Sequence, residues 1–408
     1  MTPSRSGARD PAFRFEYQPP AIRFGSGCVD DLEAELERRG LERALIVCGS
    51  TVGSTAAVME PVRSGLGDRL AGVFDETTSK KRLATAVDGR DALEAADADV
   101  LVSLGGGSSL DVATVISVLA ADDRSHEDAG SEFAARGTLT VPDDGLLPIV
   151  TVPTTLAGAD LSMVAGITAG PDSSPVDEER RGGVSDPGLM PAGAFYDPEL
   201  VETTPRSVLA GSAMNGFDKG IETLYASNAT PVTDATARHG LETFGDGLRA
   251  FGDGDRDTET FEAILEGLIL VQYGISRPGE TTASIVHAFG HGLTRTEDIQ
   301  QGVAHAIVVP HVLEYLFERD GVDARSGTLA NALGVENAAD QAAAVVESVT
   351  EVRDALGLPS RLRDVDGPDR SEFSAVAEMV LNDPFMVNAP PGLDPTVGDL
   401  EGVLEAAW

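Results

Sequence analysis

The sequence predicts an α/β domain built on a parallel sheet, followed by an all-α domain. Three observations carry that expectation. Short apolar runs alternate with helical patterns over the first half of the 408 residues, the order that βαβ units produce. One run, Asp99-Val100-Leu101-Val102-Ser103-Leu104, meets Gly105-Gly106-Gly107-Ser108-Ser109-Leu110-Asp111 and then an apolar stretch, 112–119. That is a strand, a bare-backbone turn and a buried helix. After Pro205 the texture changes to long alanine- and leucine-bearing helical patterns with almost no strand signal.

Taken in order, residues 1–20 are polar, end in Pro19-Pro20 and read as a loose arm. Residues 21–27 form a strand closing on a glycine turn, and 29–39 carry helical apolar spacing. A second strand, 45–51, ends in small residues where a helix would begin; 70–74 is a third, and a helix ends at 93–96. The strand entering Gly105 is fourth and 147–155 is fifth, while 170–193 is rich in Pro, Gly and charge before one more short strand at 194–198. Helical patterns then occupy 207–226, 232–251, 258–275, 282–293, 304–317, 338–356 and 370–381. The expected division is an arm at 1–20, an α/β domain at 21–205 and a helical domain at 206–408. No period of 20–50 residues repeats, which excludes a solenoid.

The charge is extreme: 67 acidic against 30 basic side chains, a net of −37, with lysine only at 80, 81 and 219. Such a surface repels nucleic acid and anionic membranes, so neither is an expected partner. An apolar fraction of 42% argues against disorder. An acidic, lysine-poor globular chain reads as adapted to molar salt, where the Debye length is only about 3 Å. Two cysteines, Cys28 and Cys48, make no disulfide framework. No segment approaches the roughly 18 uncharged apolar residues of a membrane span, and the first residues lack a signal peptide's apolar core. The expectation is a protein of a high-salt cytosol.

Glycines at a strand-to-helix corner let a ligand approach main-chain N–H groups, and the helix dipole favours an anion there, so the natural guest is a phosphate or pyrophosphate. The spacing is neither G-x-G-x-x-G nor a Walker pattern. On its own, the stretch fits an anion site and a purely steric turn alike.

Several stretches together resemble the iron-containing (group III) alcohol dehydrogenase family. They are Ile22-Arg23-Phe24-Gly25-x-Gly27, the GGGS turn with Asp111, Pro153-Thr154-Thr155-x-Ala157-Gly158, Tyr196-Asp197-Pro198, His287-x-x-x-His291-Gly292, and Gly302-Val303-Ala304-His305 through Pro310-His311. The resemblance implies a dehydroquinate-synthase-like architecture with NAD(P)-dependent interconversion of alcohol and carbonyl in a cleft between two domains. It assigns the cofactor pyrophosphate to Gly105, Gly106, Gly107 and Ser108, and the nicotinamide half to Thr154 and Thr155. At the adenosine ribose, where many relatives have an aspartate, Gly49 and Ser50 stand, which leaves NAD and NADP both open. The lysine usual three residues after Asp111 is replaced by Thr114. Relatives are commonly dimers or larger, so a homo-oligomer is expected.

The family holds a divalent metal with an aspartate and three histidines, and in register these positions read Asn215, Lys219, His287 and Gln301. A lysine ammonium has no lone pair for a metal. The expectation is therefore a reaction without the family's metal, nearest the metal-independent maleylacetate reductases. That branch shares the Pro153–Asp160 pattern, an Asn at position 215 and a His at position 305, yet keeps a histidine where Lys219 stands.

Reducing a carbonyl puts negative charge on its oxygen, so a site without a Lewis acid needs a preorganised cation or donor. Lys219 sits one turn past Asn215 on one helix face. It is the expected electrophile, or the anchor of a substrate carboxylate, with His287 or His291 relaying the proton. Asn215, Gln301 and Asp160 are the expected substrate contacts. Asp111 reads as a residue that orients the glycine turn, Arg180 and Arg181 as ion-paired surface groups, His305 and His311 as structural, and His126 and His239 as surface. A register three residues away would instead gather Asp218, Glu222 and His287 around a metal. Two further rivals are a lyase of the dehydroquinate-synthase type and a nucleotide-binding descendant without activity.

Overall fold

The structure is a computed structural model that describes residues 12–122, 124–173, 176–296 and 299–408. The first eleven residues of the expected arm lie outside them.

The strands in chain order are β1 (Ala21–Phe24), β2 (Ala44–Gly49), β3 (Leu70–Thr77), β4 (Val100–Gly105), β5 (Ile149–Pro153), β6 (Val164–Ala169), β7 (Arg180–Ser185) and β8 (Gly193–Tyr196). Six of them form one sheet in the order β1-β8-β5-β4-β2-β3, and every pairing in it is parallel. All of β4 and β5 is buried, as a parallel sheet covered on both faces requires. The chain winds from β2 outward to β3 and then returns to β4 on the other side of β2. Strand order therefore reverses between β2 and β4, and in open α/β sheets a ligand crevice lies beyond the carboxyl ends at such a point.

Helices α1 (Leu32–Arg39), α2 (Ser50–Ser54), α3 (Ala56–Leu66), α4 (Leu83–Ala96), α5 (Gly107–Ala120) and α6 (His126–Arg136) join these strands. α5 is buried continuously from Ser109 to Leu119, because it is apolar nearly all round and lies between the sheet, α4 and β6.

All six parallel strands match the sequence expectation. The β6–β7 hairpin does not: an antiparallel pair, registered from Val164↔Ser185 to Ala169↔Arg180, occupies part of the Pro- and Gly-rich stretch. It forms because Gly182 and Gly183 admit close backbone approach. A Cβ at Gly182 would lie 1.9 Å from the Gly137 carbonyl oxygen, and one at Gly183 would lie 2.6 Å from that of Ala165.

The second half contains α7 (Pro198–Glu202), α8 (Arg206–Tyr225), α9 (Pro231–Asp253), α10 (Thr258–Gln272), α11 (Ile285–Thr296), α12 (Gln301–Phe317), α13 (Ser326–Ala332), α14 (Gln341–Ala355), α15 (Phe373–Leu381) and α16 (Val397–Ala406). α8 is the axis of this domain, packed on α9, α10 and α12. Glycine makes that possible, since a Cβ at Gly302 of α12 would lie 1.7 Å from the Gly211 carbonyl oxygen of α8. Phe217 of α8 meets Phe244 of α9 edge-on at 6.0 Å in the same core. Truncating such a ring to alanine costs about 3–5 kcal/mol. Among the described residues no helix is long and apolar enough to cross a membrane.

Candidate active site

β4 ends at Gly105, whose φ of +126° is open to glycine alone at low strain. Gly106 caps α5 and Gly107 is its first residue, so the free N–H groups of the first turn surround the corner. Thr154 donates its N–H to the Gly105 carbonyl oxygen at 2.9 Å. The segment 153–160 then runs over the glycines. A Cβ at Gly106 would stand 3.1 Å from Thr155 Cγ2, and one at Gly107 would stand 3.2 Å from Ala159 Cβ. The glycines thus have a steric task, and the same corner leaves main-chain N–H groups at the start of α5. Gly49 and Ser50 end β2 beside this turn. All eight positions expected to meet the cofactor therefore gather at the carboxyl ends of β2, β4 and β5, where the strand order reverses.

α8 faces this loop. Leu156 N–H donates to Ser212 Oγ at 3.0 Å, and Lys219 Nζ donates to the carbonyl oxygens of Ala157, at 3.1 Å, and Gly158. Burial pulls the ammonium down to about 8, against the charges of Asp160 and Asp218. Burial also pushes buried Asp160 up to about 6, with its own N–H and then Lys219 opposing. Lys219 is mostly charged at neutral pH, and two loop carbonyls leave one of its three donors for another acceptor. One turn earlier on the same face is Asn215, whose buried Oδ1 has no hydrogen-bond partner among the described residues.

The same helix carries Asp218 and Glu222, both fully buried. Glu222 accepts N–H bonds from Ser284 at 3.0 Å, Val286 at 2.7 Å and His287 at 3.2 Å. It thereby caps α11 from a neighbouring helix, and it also pairs with His287 Nδ1. Asp218 Oδ2 lies 3.3 Å from His287 Nδ1 and 3.2 Å from His305 Nδ1. Both imidazoles thus crowd one carboxylate oxygen, and together they hold Asp218 below its ordinary value against its burial. Burial depresses His287, but Glu222 and Asp218 outweigh it and hold the imidazolium up to about 9. Burial drives His305 down to about 4, against Asp218. His291 is half-buried, its Nδ1 is 2.9 Å from Asp383 Oδ2, and its ring lies 5.0 Å from that of Phe385.

Lys219, Asn215 and Asp160 therefore share one corner. Asp218, Glu222 and His287 do meet, as the shifted register anticipated, and His305 joins them rather than being purely structural. Gln301 opens α12 half-buried; a Cβ at Gly290 would lie 3.5 Å from its Cγ. Asp111 Oδ2 pairs with Lys81 Nζ at 2.5 Å, a connection local sequence reading misses because the two are thirty positions apart. Arg181 pairs with Glu179 at 3.6 Å, as expected of a surface arginine, and donates to the Thr294 carbonyl oxygen, whereas Arg180 donates to the carbonyl oxygen of Ala134. Asp383 and Phe385 carried no sequence signal.

A parallel sheet with a glycine turn at its switch point, faced by helices that bring an ammonium and imidazoles to it, is the layout in which an open α/β sheet holds a ligand. Residues 19–198 match the family described as iron-containing alcohol dehydrogenase, and 209–408 match the C-terminal part of the Fe-containing alcohol dehydrogenase family. The chain is 27% identical over 391 residues to the lactaldehyde reductase of Escherichia coli K12, covering 94% of this chain and 97% of that one. It is 26% identical over 373 residues to the maleylacetate reductase of Pseudomonas aeruginosa, covering 91% and 92%. The fold matches the crystal structure of sulfoacetaldehyde reductase from Bifidobacterium kashiwanohense in complex with NAD+, with a TM-score of 0.83 at 19% identity over 97% of this chain and 99% of that one. The chain belongs to the iron-containing alcohol dehydrogenase family and is an oxidoreductase. Maleylacetate reductases stand among its relatives, as the Pro153-Thr154-Thr155 segment suggested.

The family's description implies iron. Asn215, Lys219, His287 and Gln301 do not fit a divalent ion, because the Lys219 ammonium offers no lone pair and two loop carbonyls hold it in place. A dication about 4 Å from that charge would be repelled by roughly 8 kcal/mol at an effective dielectric of about 20.

Proposed function

We propose that this protein interconverts a small polar carbonyl compound and its alcohol by hydride transfer with NAD or NADP, without a metal in the reaction. The observation that carries the reading is the Lys219 ammonium, held by the carbonyls of Ala157 and Gly158 on the very segment that overlies the glycine turn. The N–H groups of 105–108 receive the pyrophosphate, Thr154 and Thr155 line the nicotinamide half, and Gly49 and Ser50 border the adenosine ribose. Bound nicotinamide supplies or accepts the hydride; the remaining work falls to this chain. Asn215, Gln301 and Asp160 orient the substrate. Lys219 donates to the carbonyl oxygen as charge develops on it, and Asp160 keeps that ammonium protonated. His287 or His291 relays the proton through Nε2, since Glu222 holds Nδ1 of the first and Asp383 that of the second.

Purified protein should oxidise NADH or NADPH in the presence of small aldehydes and oxoacids. Tight nucleotide binding with no turnover across such a panel overturns the reading. Net cofactor oxidation also excludes a lyase that regenerates its nicotinamide within the cycle. One observation favours a second reading, a metal-dependent enzyme with shifted ligands: ligand atoms of Asp218, His287 and His305 all lie within 4.8 Å of one another. Ligands around one ion at about 2.1 Å sit at comparable spacing. Metal content separates the two.

A further inference from the structure

We propose that Asp383 is the positioning residue that makes His291, of the two imidazoles on one face of α11, the proton relay of this site. The inference rests on the oxidoreductase reading above and decides between the two histidines which that reading leaves side by side.

The two rings stand in opposite surroundings. His287 is sealed: its side chain is 6% exposed, its Nδ1 pairs with Glu222 and lies 3.3 Å from Asp218 Oδ2, and its ring meets that of His305 edge-on at 4.6 Å. A relay has to be recharged from water at every turnover, and this ring has little contact with water. His291 differs. Its side chain is 34% exposed, while that of Asp383, which holds its Nδ1 at 2.9 Å, is only 1% exposed. A buried carboxylate thus anchors one nitrogen of a ring that still reaches water.

Asp383 is itself held in place. Its Oδ1 accepts the Phe385 N–H at 3.0 Å, and its own N–H donates to Val380 O of α15 at 3.0 Å. The turn it opens, 384–388, is tied to the approach of α11 by Asn388 Nδ2, which donates to Ala283 O at 2.8 Å. The Ser227 N–H, just past α8, donates to Asn388 O at 3.1 Å. Phe385 lays its ring 5.0 Å from that of His291, tilted by 34°, and 6.0 Å from that of His287. His291 is therefore oriented from outside its own helix. A carboxylate only accepts, so the neutral imidazole keeps its proton on Nδ1 and offers a lone pair at Nε2. In the alcohol-forming direction the protonated ring gives its Nε2 proton to the oxygen as the carbonyl carbon receives its hydride. It keeps Nδ1–H on Asp383 and regains a proton from water, while Lys219 stabilises the charge on that oxygen without losing its own proton. The reverse direction uses the Nε2 lone pair as base.

Asp383→Asn tests this, because the amide keeps an acceptor for the Phe385 N–H but turns a donor toward Nδ1 and moves the neutral ring's proton to Nε2. With NADH and a short aldehyde, kcat falls about 10²- to 10⁴-fold, the range of a lost general acid–base contribution, while KM for NADH stays within about threefold. His291→Ala loses as much, and adding Asp383→Asn to it lowers kcat by less than about threefold more, since the carboxylate acts only through that ring. A kcat within about threefold of wild type in Asp383→Asn, or an equal fall from Asp383→Asn with and without His291, overturns the proposal. Nitrogen NMR of the histidine rings, with His291 identified by its loss in His291→Ala, reads the wild-type ring directly in alkaline buffer. A proton on Nδ1 supports the proposal and a bare Nδ1 overturns it. If no aldehyde is turned over, the oxidoreductase reading fails separately, and the state of Nδ1 alone decides whether Asp383 sets His291.

Discussion

Lys219→Met removes an ammonium while keeping most of the stem that packs beside Ala157 and Gly158. With Lys219 at about 8, the wild-type group is mostly charged at pH 7. A unit charge about 4 Å from a developing oxyanion contributes roughly 4 kcal/mol at an effective dielectric of about 20. Loss of a single oxyanion donor costs about 2.7–4 kcal/mol. Both routes give a fall in kcat/KM of about 10²- to 10³-fold. The same substitution leaves two loop carbonyls without their donor, so some of the loss can come from a loosened cofactor site. Nucleotide affinity measured by NADH fluorescence separates that part, and it should change by less than about tenfold because the glycine corner is untouched. Steady-state oxidation of NADH with a short aldehyde is the assay. A variant within about threefold of wild-type kcat/KM refutes the assignment of Lys219.

The pH profile of kcat/KM should rise as Asp160 ionises near about 6 and fall as Lys219 loses its proton near about 8, because the reaction needs the cation and the carboxylate sustains it. A profile flat across both limbs contradicts this. Glu222→Gln leaves one acceptor oxygen where a carboxylate now serves the N–H groups of Ser284, Val286 and His287 and the His287 ring. It should destabilise by about 2–4 kcal/mol, read as a lower midpoint of urea unfolding. Gly105→Ala forces a side chain into φ +126° at the cofactor corner and should weaken NADH binding as well as stability. Gly254→Ala, at φ +104° with nothing near its Cβ, should lower stability alone. With a net charge of −37, thermal stability should climb from dilute buffer to molar KCl; a melting temperature indifferent to salt contradicts that.

The sheet was legible because its central strands β2, β4 and β5 are largely apolar runs ending in small residues or proline, and Gly105 to Gly107 marked which carboxyl end mattered. The pairing of Asn215 with Lys219 was equally legible, since four residues on a helix return to one face. What escaped reading was set by partners far away in the chain. Glu222 looks like any buried helix acid until α11 arrives and places its first N–H groups against it. Asp111 reads as a local turn residue, and its pairing with Lys81, from another βα unit, leaves no trace there. His305 looked like packing because its role depends on Asp218, carried by another helix. The β6–β7 hairpin escaped because glycine and arginine give no alternating pattern; its stability comes from Ala165, Ile167 and Val184 buried in the core beneath it.

The central claim is that an ammonium does here what a bound ion does for a metal-dependent carbonyl reductase. Elemental analysis of the purified protein before and after exhaustive chelation, with turnover measured on the same samples, tests it most directly. The expected result is far less than one iron or zinc per chain and undiminished turnover after chelation. A stoichiometric ion whose removal abolishes turnover, restored on adding it back and lost in Asp218→Ala or His305→Ala, would contradict it.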